Sequence, residues 1–135
     1  MIFINDAHNA FYKQQTAVNK NDCYTKALIY TLGICDDTRQ RFESLYDAKD
    51  GRIIHDALYA SWQTDGSMKV TRLAFQLFTD LMPTAECYHF ENNDKEAYCE
   101  SKRYSISEIF CCEFAPYFVE ALKVRYTEYF TVGTN

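Results

Sequence analysis

The sequence predicts an all-α protein, a single domain over residues 1–135 built as an irregular or orthogonal bundle of roughly six to seven helices. Apolar residues make up 47% of the chain and charged residues 24%, which is the balance of an ordinary globular domain. Only four glycines and two prolines interrupt it, fewer than the many tight turns of an all-β protein would need. Apolar residues instead recur at the helical spacing of three and four.

The first two predicted helices form a hairpin. Asp6 can cap the first, and the residues on its inward side are Ala7, Ala10, Phe11, Gln14 and Val18. The second begins at Asp22, and its inward side comprises Tyr24, Ala27, Leu28, Thr31 and Cys35. Gly33 is expected to end it in the left-handed conformation that glycine adopts readily.

A third helix and a short fourth one are predicted next. Asp36 and Asp37 place carboxylates at the start of the third, where they can accept bonds from free backbone N–H groups, and Gly51 ends it. The short helix runs from about Ile54 to Ala60 and leads into a polar loop at 61–67.

The clearest predicted helix begins after Ser67, because its apolar residues keep a strict helical spacing. They are Val70, Leu73, Ala74, Leu77, Phe78 and Leu81. Pro83 is expected to end this helix. The apolar residues keep no regular spacing over about 84–104, so an irregular excursion from the helical bundle is predicted there. Ser105 and Glu108 then fit a capping box, and Pro116 suits the first turn of the last helix.

Residues 80–100 carry the charge imbalance of the whole chain. The net charge is −5, and between residues 80 and 100 six acidic side chains face only Lys95. Such a stretch repels phosphate backbones and attracts basic surfaces, so it disfavours direct nucleic-acid binding. The predicted partner-binding acids are Glu86, Glu91, Asp94, Glu96 and Glu100. The plainer interpretation is a solvated loop that keeps the protein soluble.

Aromatic residues are unusually abundant, with eleven tyrosines and ten phenylalanines in 135 residues. Tyrosine and phenylalanine are enriched at the centres of protein interfaces, because they bury a large area at small entropic cost. We therefore expect a partner-binding face that includes Tyr117, Tyr126, Tyr129 and Phe130. The alternative is that these rings belong to the core, with ordinary exposure of the remainder.

A second hypothesis places an anionic ligand at the loop before the clearest helix. Gly66 and Ser67 can expose the first N–H groups of that helix, and Lys69 and Arg72 add positive charge one turn apart. The spacing lacks the full glycine-rich pattern of a nucleotide hydrolase. In the plainer interpretation Ser67 is only a cap, both cations are solvated and nearby Trp62 anchors the core.

No cofactor or metal is expected. The residues that would have to converge on zinc are Cys87, His89, Cys99, Cys111 and Cys112. Structural zinc sites usually contain closely spaced Cys–Cys or His–His pairs that turn both ligands toward one ion, and these residues lack that spacing. The alternative is that Cys23, Cys35, Cys111 and Cys112 are small buried thiols. A nucleophilic dyad would need one of the scattered histidines, His8, His55 or His89. No nucleophile elbow, metalloprotease motif or dinucleotide fingerprint is present, so an enzyme is not expected.

The chain has no apolar run of about 18 residues, and its amino terminus lacks the pattern of a signal peptide. We expect a cytoplasmic protein that does not enter a membrane. Its six cysteines are then reduced thiols.

Two segments resemble an uncharacterised family. They are Trp62-Gln63-Thr64-Asp65-Gly66-Ser67-Met68-Lys69-Val70-Thr71-Arg72-Leu73-Ala74-Phe75, and Ile109-Phe110-Cys111-Cys112 continuing through Ala115-Pro116-Tyr117-Phe118 to Arg125-Tyr126. The family comprises small domain-of-unknown-function proteins of gut Clostridia and related Firmicutes, often encoded on mobile elements. Its loop pattern is Trp-Gln-Thr-Gly-Thr-Ser, whereas Asp65-Gly66 follow Thr64 here. The resemblance implies no activity, but proteins of such elements commonly bind host factors.

These observations favour a non-enzymatic interaction protein of a bacterial mobile element, acting as a monomer or homodimer. Its expected partner is a host protein with a basic surface, such as a CRISPR effector or another defence nuclease, which it inhibits. The alternative is a binder of a phosphorylated or nucleotide ligand at the Gly66–Arg72 helix start, near Trp62. A cysteine- or zinc-dependent enzyme is the third hypothesis.

Overall fold

A computed structural model describes residues 1–82 and 100–131 and confirms the predicted helical fold class. The α-helices are α1 Asp6–Val18, α2 Cys23–Leu32, α3 Asp36–Gln40, α4 Phe42–Leu45, α5 Asp65–Thr79, α6 Ile106–Phe110 and α7 Ala115–Arg125. Two 3₁₀-helices cover His55–Tyr59 and Thr127–Tyr129, and strands β1 Tyr46–Asp47 and β2 Arg52–Ile53 form a small hairpin. Most of the predicted excursion at 84–104 lies outside the described residues.

Helix α2 is the centre of the core. Every residue from Ala27 to Ile34 is buried, and α2 packs against α1, α5 and α7. A helix that is apolar on nearly all sides must be covered on nearly all sides, which explains this central position. Helix α5 supplies the second large buried surface, which includes Val70, Ala74 and Phe75. None of the helices in residues 1–82 and 100–131 combines the length and the apolar character that crossing a bilayer requires.

The face that α1 buries differs from the prediction. Asn5 caps the helix by accepting a hydrogen bond from the backbone N–H of His8 at 2.8 Å, and the buried side chains are His8 and Phe11. The predicted inward residues Ala7, Ala10, Gln14 and Val18 are exposed. The prediction was wrong because His8 is a polar residue whose two ring nitrogens both have hydrogen-bond partners inside the core.

Gly33 ends α2 for a different reason from the predicted one. Its φ is −76°, so the left-handed stop was wrong. A Cβ at this position would lie 2.7 Å from Cδ2 of His8 and 2.8 Å from Cδ1 of Phe11. Glycine is therefore required by the close approach of α1 to the end of α2. Tyr24, which was predicted to point inward, is 40% exposed.

The predicted third helix is broken into α3, α4 and the hairpin. Cys35 is the residue before α3 and provides no side-chain cap, while Asp36 pairs with Arg39. The hairpin pairs Tyr46 with Ile53. Its turn contains Gly51 at φ +67°, in the left-handed region that glycine tolerates.

Helix α5 begins three residues earlier than predicted. Thr64 caps it, and the hydroxyls of Thr64 and Ser67 each accept a hydrogen bond from the backbone N–H of the other residue. Ser67 is thus the third residue of the helix rather than its cap. The helix ends at Thr79, because Asp80 adopts the left-handed conformation at φ +60°, ahead of Pro83.

Both predicted starts in the carboxy-terminal part are confirmed. The hydroxyl of Ser105 accepts a hydrogen bond from the backbone N–H of Glu108 at 3.2 Å, which caps α6. The backbone N–H of Ser105 donates to the carbonyl of Lys102 rather than to the Glu108 carboxylate, so the reciprocal half of the predicted capping box is wrong. Pro116 lies in the first turn of α7, where its missing N–H costs nothing.

Candidate partner-binding groove

An open apolar groove lies between α5, α6 and α7, with a volume of about 560 Å³. Its lining residues are Leu73, Gln76, Leu77, Asp80, Tyr104, Ile106, Ile109, Phe110, Leu122 and Tyr126. Three of them, Leu73, Gln76 and Leu77, belong to α5, and Asp80 ends that helix. Their spacing of i, i+3, i+4 and i+7 places them along one side of the helix over about two turns. Among these residues Asp80 alone carries a formal charge.

The short α6 leaves the groove open. Ile109 of α6 is buried, with 1% of its surface exposed, and anchors the helix to the core. Ile106 lies one turn earlier and is 79% exposed. Ile106 also lines the groove. Ile106 therefore extends the apolar lining of the groove out to the protein surface.

Arg125 joins the ends of α5 and α7 at one end of the groove. Its Nε donates to the carbonyl of Leu77 at 3.0 Å, and its Nη2 donates to the two carboxylate oxygens of Asp80 at 2.9 and 3.1 Å. Its guanidinium carbon lies 3.7 Å from the ring centre of Tyr24 and 4.6 Å from that of Tyr126. Burial opposes this charge, but Asp80 favours it and the pKa of Arg125 is raised. The carboxy-terminal ends of two helices, which carry partial negative charge, thus meet here.

Further exposed apolar side chains follow the two helices at this end. Leu81 and Met82 come directly after Asp80 and are 69% and 45% exposed. Tyr129 and Phe130 come shortly after Arg125 and are 78% and 45% exposed.

The structure separates the predicted partner-binding tyrosines. Tyr126 lines the groove, and Tyr129 is exposed less than one turn further along the chain. Tyr117 lies in the first turn of α7, half-buried against the core. It therefore belongs to the opposite end of that helix from Tyr126.

The predicted acidic residues divide into two groups. Glu86, Glu91, Asp94 and Glu96 lie outside the described residues. Glu100 is described and is only 4% exposed, because it pairs with Arg72. Its charge is directed to the interior of the protein rather than to a partner.

The Arg72–Glu100 ion pair fastens residues 100–104 to α5. Nε of Arg72 donates to Oε1 of Glu100 at 3.0 Å and Nη2 donates to Oε2 at 3.3 Å. The guanidinium lies 5.9 Å from the ring centre of Tyr104, and Arg103 approaches Glu100 at 3.8 Å. Burial and a hydrogen bond to Glu100 raise the pKa of the Tyr59 phenol. The pair therefore sits in a polar network that neutralises its buried charges.

The residues of the predicted anion site have partners within the protein. Ser67 is fully buried in the capping box, and Nζ of Lys69 donates to the carbonyl of Glu108. Trp62 is half-buried beside the guanidinium of Arg41, at 5.0 Å, and Gly66 faces Phe114. A cleft of about 360 Å³ does contain Lys69 and Arg72, together with Asp65, Met68, Arg103 and Glu108. The anion site stays a prediction.

The zinc and nucleophile candidates do not meet in the described residues. Cys87, His89 and Cys99 lie outside them, Cys111 is exposed and Cys112 is half-buried. Within residues 1–82 and 100–131 no three His, Cys, Asp or Glu side chains are placed to hold a metal ion. His8 lies on the buried face of α1, where its Nδ1 accepts a hydrogen bond from the N–H of Ile4 and its Nε2 bonds to the carbonyl of Tyr30 at 2.7 Å.

The fold and the groove together define a small helical domain with an open apolar surface. The chain belongs to the family of unknown function DUF6075, whose model matches residues 1–135. This finding confirms the resemblance to an uncharacterised domain family. No curated protein and no solved structure matches the chain.

Proposed function

We propose that this protein acts by binding another protein at the α5–α6–α7 groove. The observation that carries the proposal is the exposure of Ile106 beside an open apolar cavity of about 560 Å³. Apolar surface that stays open in a folded domain is a common mark of an interaction site. Tyr126 in the lining and exposed Tyr129 nearby add the residue type that dominates interface energetics.

The composition of the groove favours binding over catalysis. Catalytic sites gather titratable groups with shifted pKa values, whereas among the described residues that line this groove Asp80 alone carries a formal charge. The histidine with a strongly lowered pKa, His8, lies in the core and is committed to backbone groups of Ile4 and Tyr30. Its environment is that of a structural histidine.

The partner that fits best is a host protein with a basic surface. Residues 80–100 carry the whole net charge of −5, and Asp80 lies at the groove itself. Nucleases hold phosphate backbones on basic surfaces, which an acidic protein can occupy instead. Together with the resemblance to proteins of mobile elements, this supports an inhibitor of a host defence nuclease.

Affinity capture with matched variants tests the proposal. Ile106→Asp introduces a charge at the groove, and Val18→Asp introduces the same charge at an exposed aliphatic residue of α1, where Val18 is 76% exposed. We expect the wild type and Val18→Asp to retain the same host protein from lysate and Ile106→Asp to lose it. Thermal unfolding curves of the wild type and both variants serve as a control for folding. If the three curves are alike and Ile106→Asp still retains that protein, the groove is excluded as the binding site.

A second variant tests the charge of the partner. Replacing Glu91, Asp94 and Glu96 by Lys changes the net charge of the acidic segment, residues 80–100, from negative to positive. Capture should weaken and should lose its dependence on salt, since screening acts on charge attraction. Unchanged capture by the triple variant would remove the acidic segment from the proposal.

A further inference from the structure

We propose that the groove binds one face of a basic, amphipathic α-helix of the partner. This inference rests on the proposed function and names the structural element that the function requires. It follows from the hydrogen-bonding character of the groove, its dimensions and the charge at its Asp80 end.

The hydrogen-bonding character favours a helix over an extended peptide. The groove walls are helices, and the lining contains mainly aliphatic and aromatic side chains, with Gln76 and Asp80 on the α5 side. An extended segment would bury backbone N–H and C=O groups against surfaces that offer few partners. A helix satisfies those groups internally and presents only side chains, as in other helix-in-groove complexes.

The dimensions show how much of the helix enters. The α5 wall from Leu73 to Asp80 spans two turns, which is about 11 Å. The groove is open to solvent, so a helix that lies in it contacts the walls with the side chains of one face and keeps the opposite face outside. The anchors would follow the i, i+3, i+4, i+7 pattern.

The charge at one end of the groove favours basic residues on the uncovered part of the helix. The carboxy-terminal ends of α5 and α7 converge there, and the Asp80 side chain remains 49% exposed although it pairs with Arg125. A basic helix complements this charge, whereas a second copy of a chain with net charge −5 does not.

Fluorescence anisotropy with three labelled peptides tests the inference on the full chain. The first is a leucine–lysine peptide with leucines at i, i+3, i+4 and i+7, the second replaces its lysines by glutamates, and the third scrambles the first so that no apolar stripe forms. We expect the first peptide to bind at least tenfold more tightly than either of the others. Ile106→Asp should weaken its binding at least tenfold, and Val18→Asp by less than twofold.

Four results would overturn the inference. If the scrambled peptide binds as tightly as the leucine–lysine peptide, the attraction is due to charge alone. If the acidic peptide binds as tightly, charge complementarity does not contribute to binding. Self-association of the wild type that Ile106→Asp abolishes, without peptide binding, would assign the groove to a second copy. If no peptide binds but the host protein is still captured in an Ile106-dependent way, the helix inference fails and the proposed function stands. If the first peptide binds as expected but no host protein is captured, the proposed function fails alone.

Discussion

Acid should destabilise this protein through His8. The Nδ1 atom of His8 accepts a hydrogen bond from the backbone N–H of Ile4, so the ring proton is on Nε2, which donates to the carbonyl of Tyr30 at 2.7 Å. A second proton on the ring would break the bond from Ile4 and place a charge in the core. Burial accordingly lowers the pKa of His8 from 6.5 to about 4.

The size of the effect follows from the two pKa values. The unfolded chain binds a proton at His8 below pH 6.5 and the folded protein does so only near pH 4, so stability present above pH 6.5 is lost as the pH falls towards 4. At pH 5 the loss amounts to about 2 kcal/mol, and it approaches about 3.4 kcal/mol well below pH 4. Such a loss is a large part of the stability of a typical domain.

Urea denaturation at pH 7.5 and pH 5 measures this loss, with His8→Gln as the comparison. The variant lowers stability at both pH values, but it has no imidazole to protonate, and the titration of other groups is common to both proteins. Between these pH values the wild type should lose about 2 kcal/mol more free energy of unfolding than the variant. Equal losses, or an NMR titration of His8 with a midpoint near 6.5, would refute the assignment of this ring as neutral and buried.

Two further substitutions test packing and burial, with urea denaturation as the measurement. Arg72→Met should lower the free energy of unfolding by about 3–5 kcal/mol, because it removes the buried cation that pairs with Glu100 and leaves that carboxylate with the exposed Arg103 at 3.8 Å. Adding Glu100→Leu should recover most of that loss. A double variant whose loss equals the sum of the two single losses would contradict the pairing. Gly33→Ala should lower the free energy of unfolding by about 1–3 kcal/mol, because the new methyl group meets the rings of His8 and Phe11. An unchanged urea midpoint would show instead that α1 can shift to make room for the methyl group.

Local patterns in the sequence predicted the helices well where the pattern and the packing agree. Helix α5 has its apolar residues on one face, and Ser105 and Pro116 mark helix starts by chemistry that acts within four residues. Patterns fail where a distant residue decides the packing. The inward face of α1 depends on Tyr30 and Gly33, which no period within α1 can indicate.

The hairpin after α4 was missed although a local signal exists. The carboxylate of Asp47 accepts the backbone N–H groups of Lys49 and Asp50 at 3.0 and 3.2 Å, and Gly51 follows with positive φ. Aspartate followed by glycine at this spacing is a turn signal, and two β-branched isoleucines follow the turn. The helical interpretation gave that turn too little weight.

The candidate site was predictable only in part. Tyr126 and Tyr129 were expected at a partner-binding face on the basis of residue type, and the structure places them at or near the groove. The groove itself joins three helices, and Ile106 is exposed only because the short α6 turns it away from the core. Arg72 and Glu100 were assigned to two different surface sites, because their pairing across 28 positions leaves no local signal.

Site-specific photo-crosslinking in the host is the most direct test of partner binding at the groove. A photoreactive amino acid replaces Ile106 in one variant and Val18 in the other, two exposed aliphatic positions on different helices. We expect irradiation to join the Ile106 variant to one discrete host protein and to leave the Val18 variant free. Equal adducts at both positions, or an adduct at Val18 alone, would contradict binding at the groove.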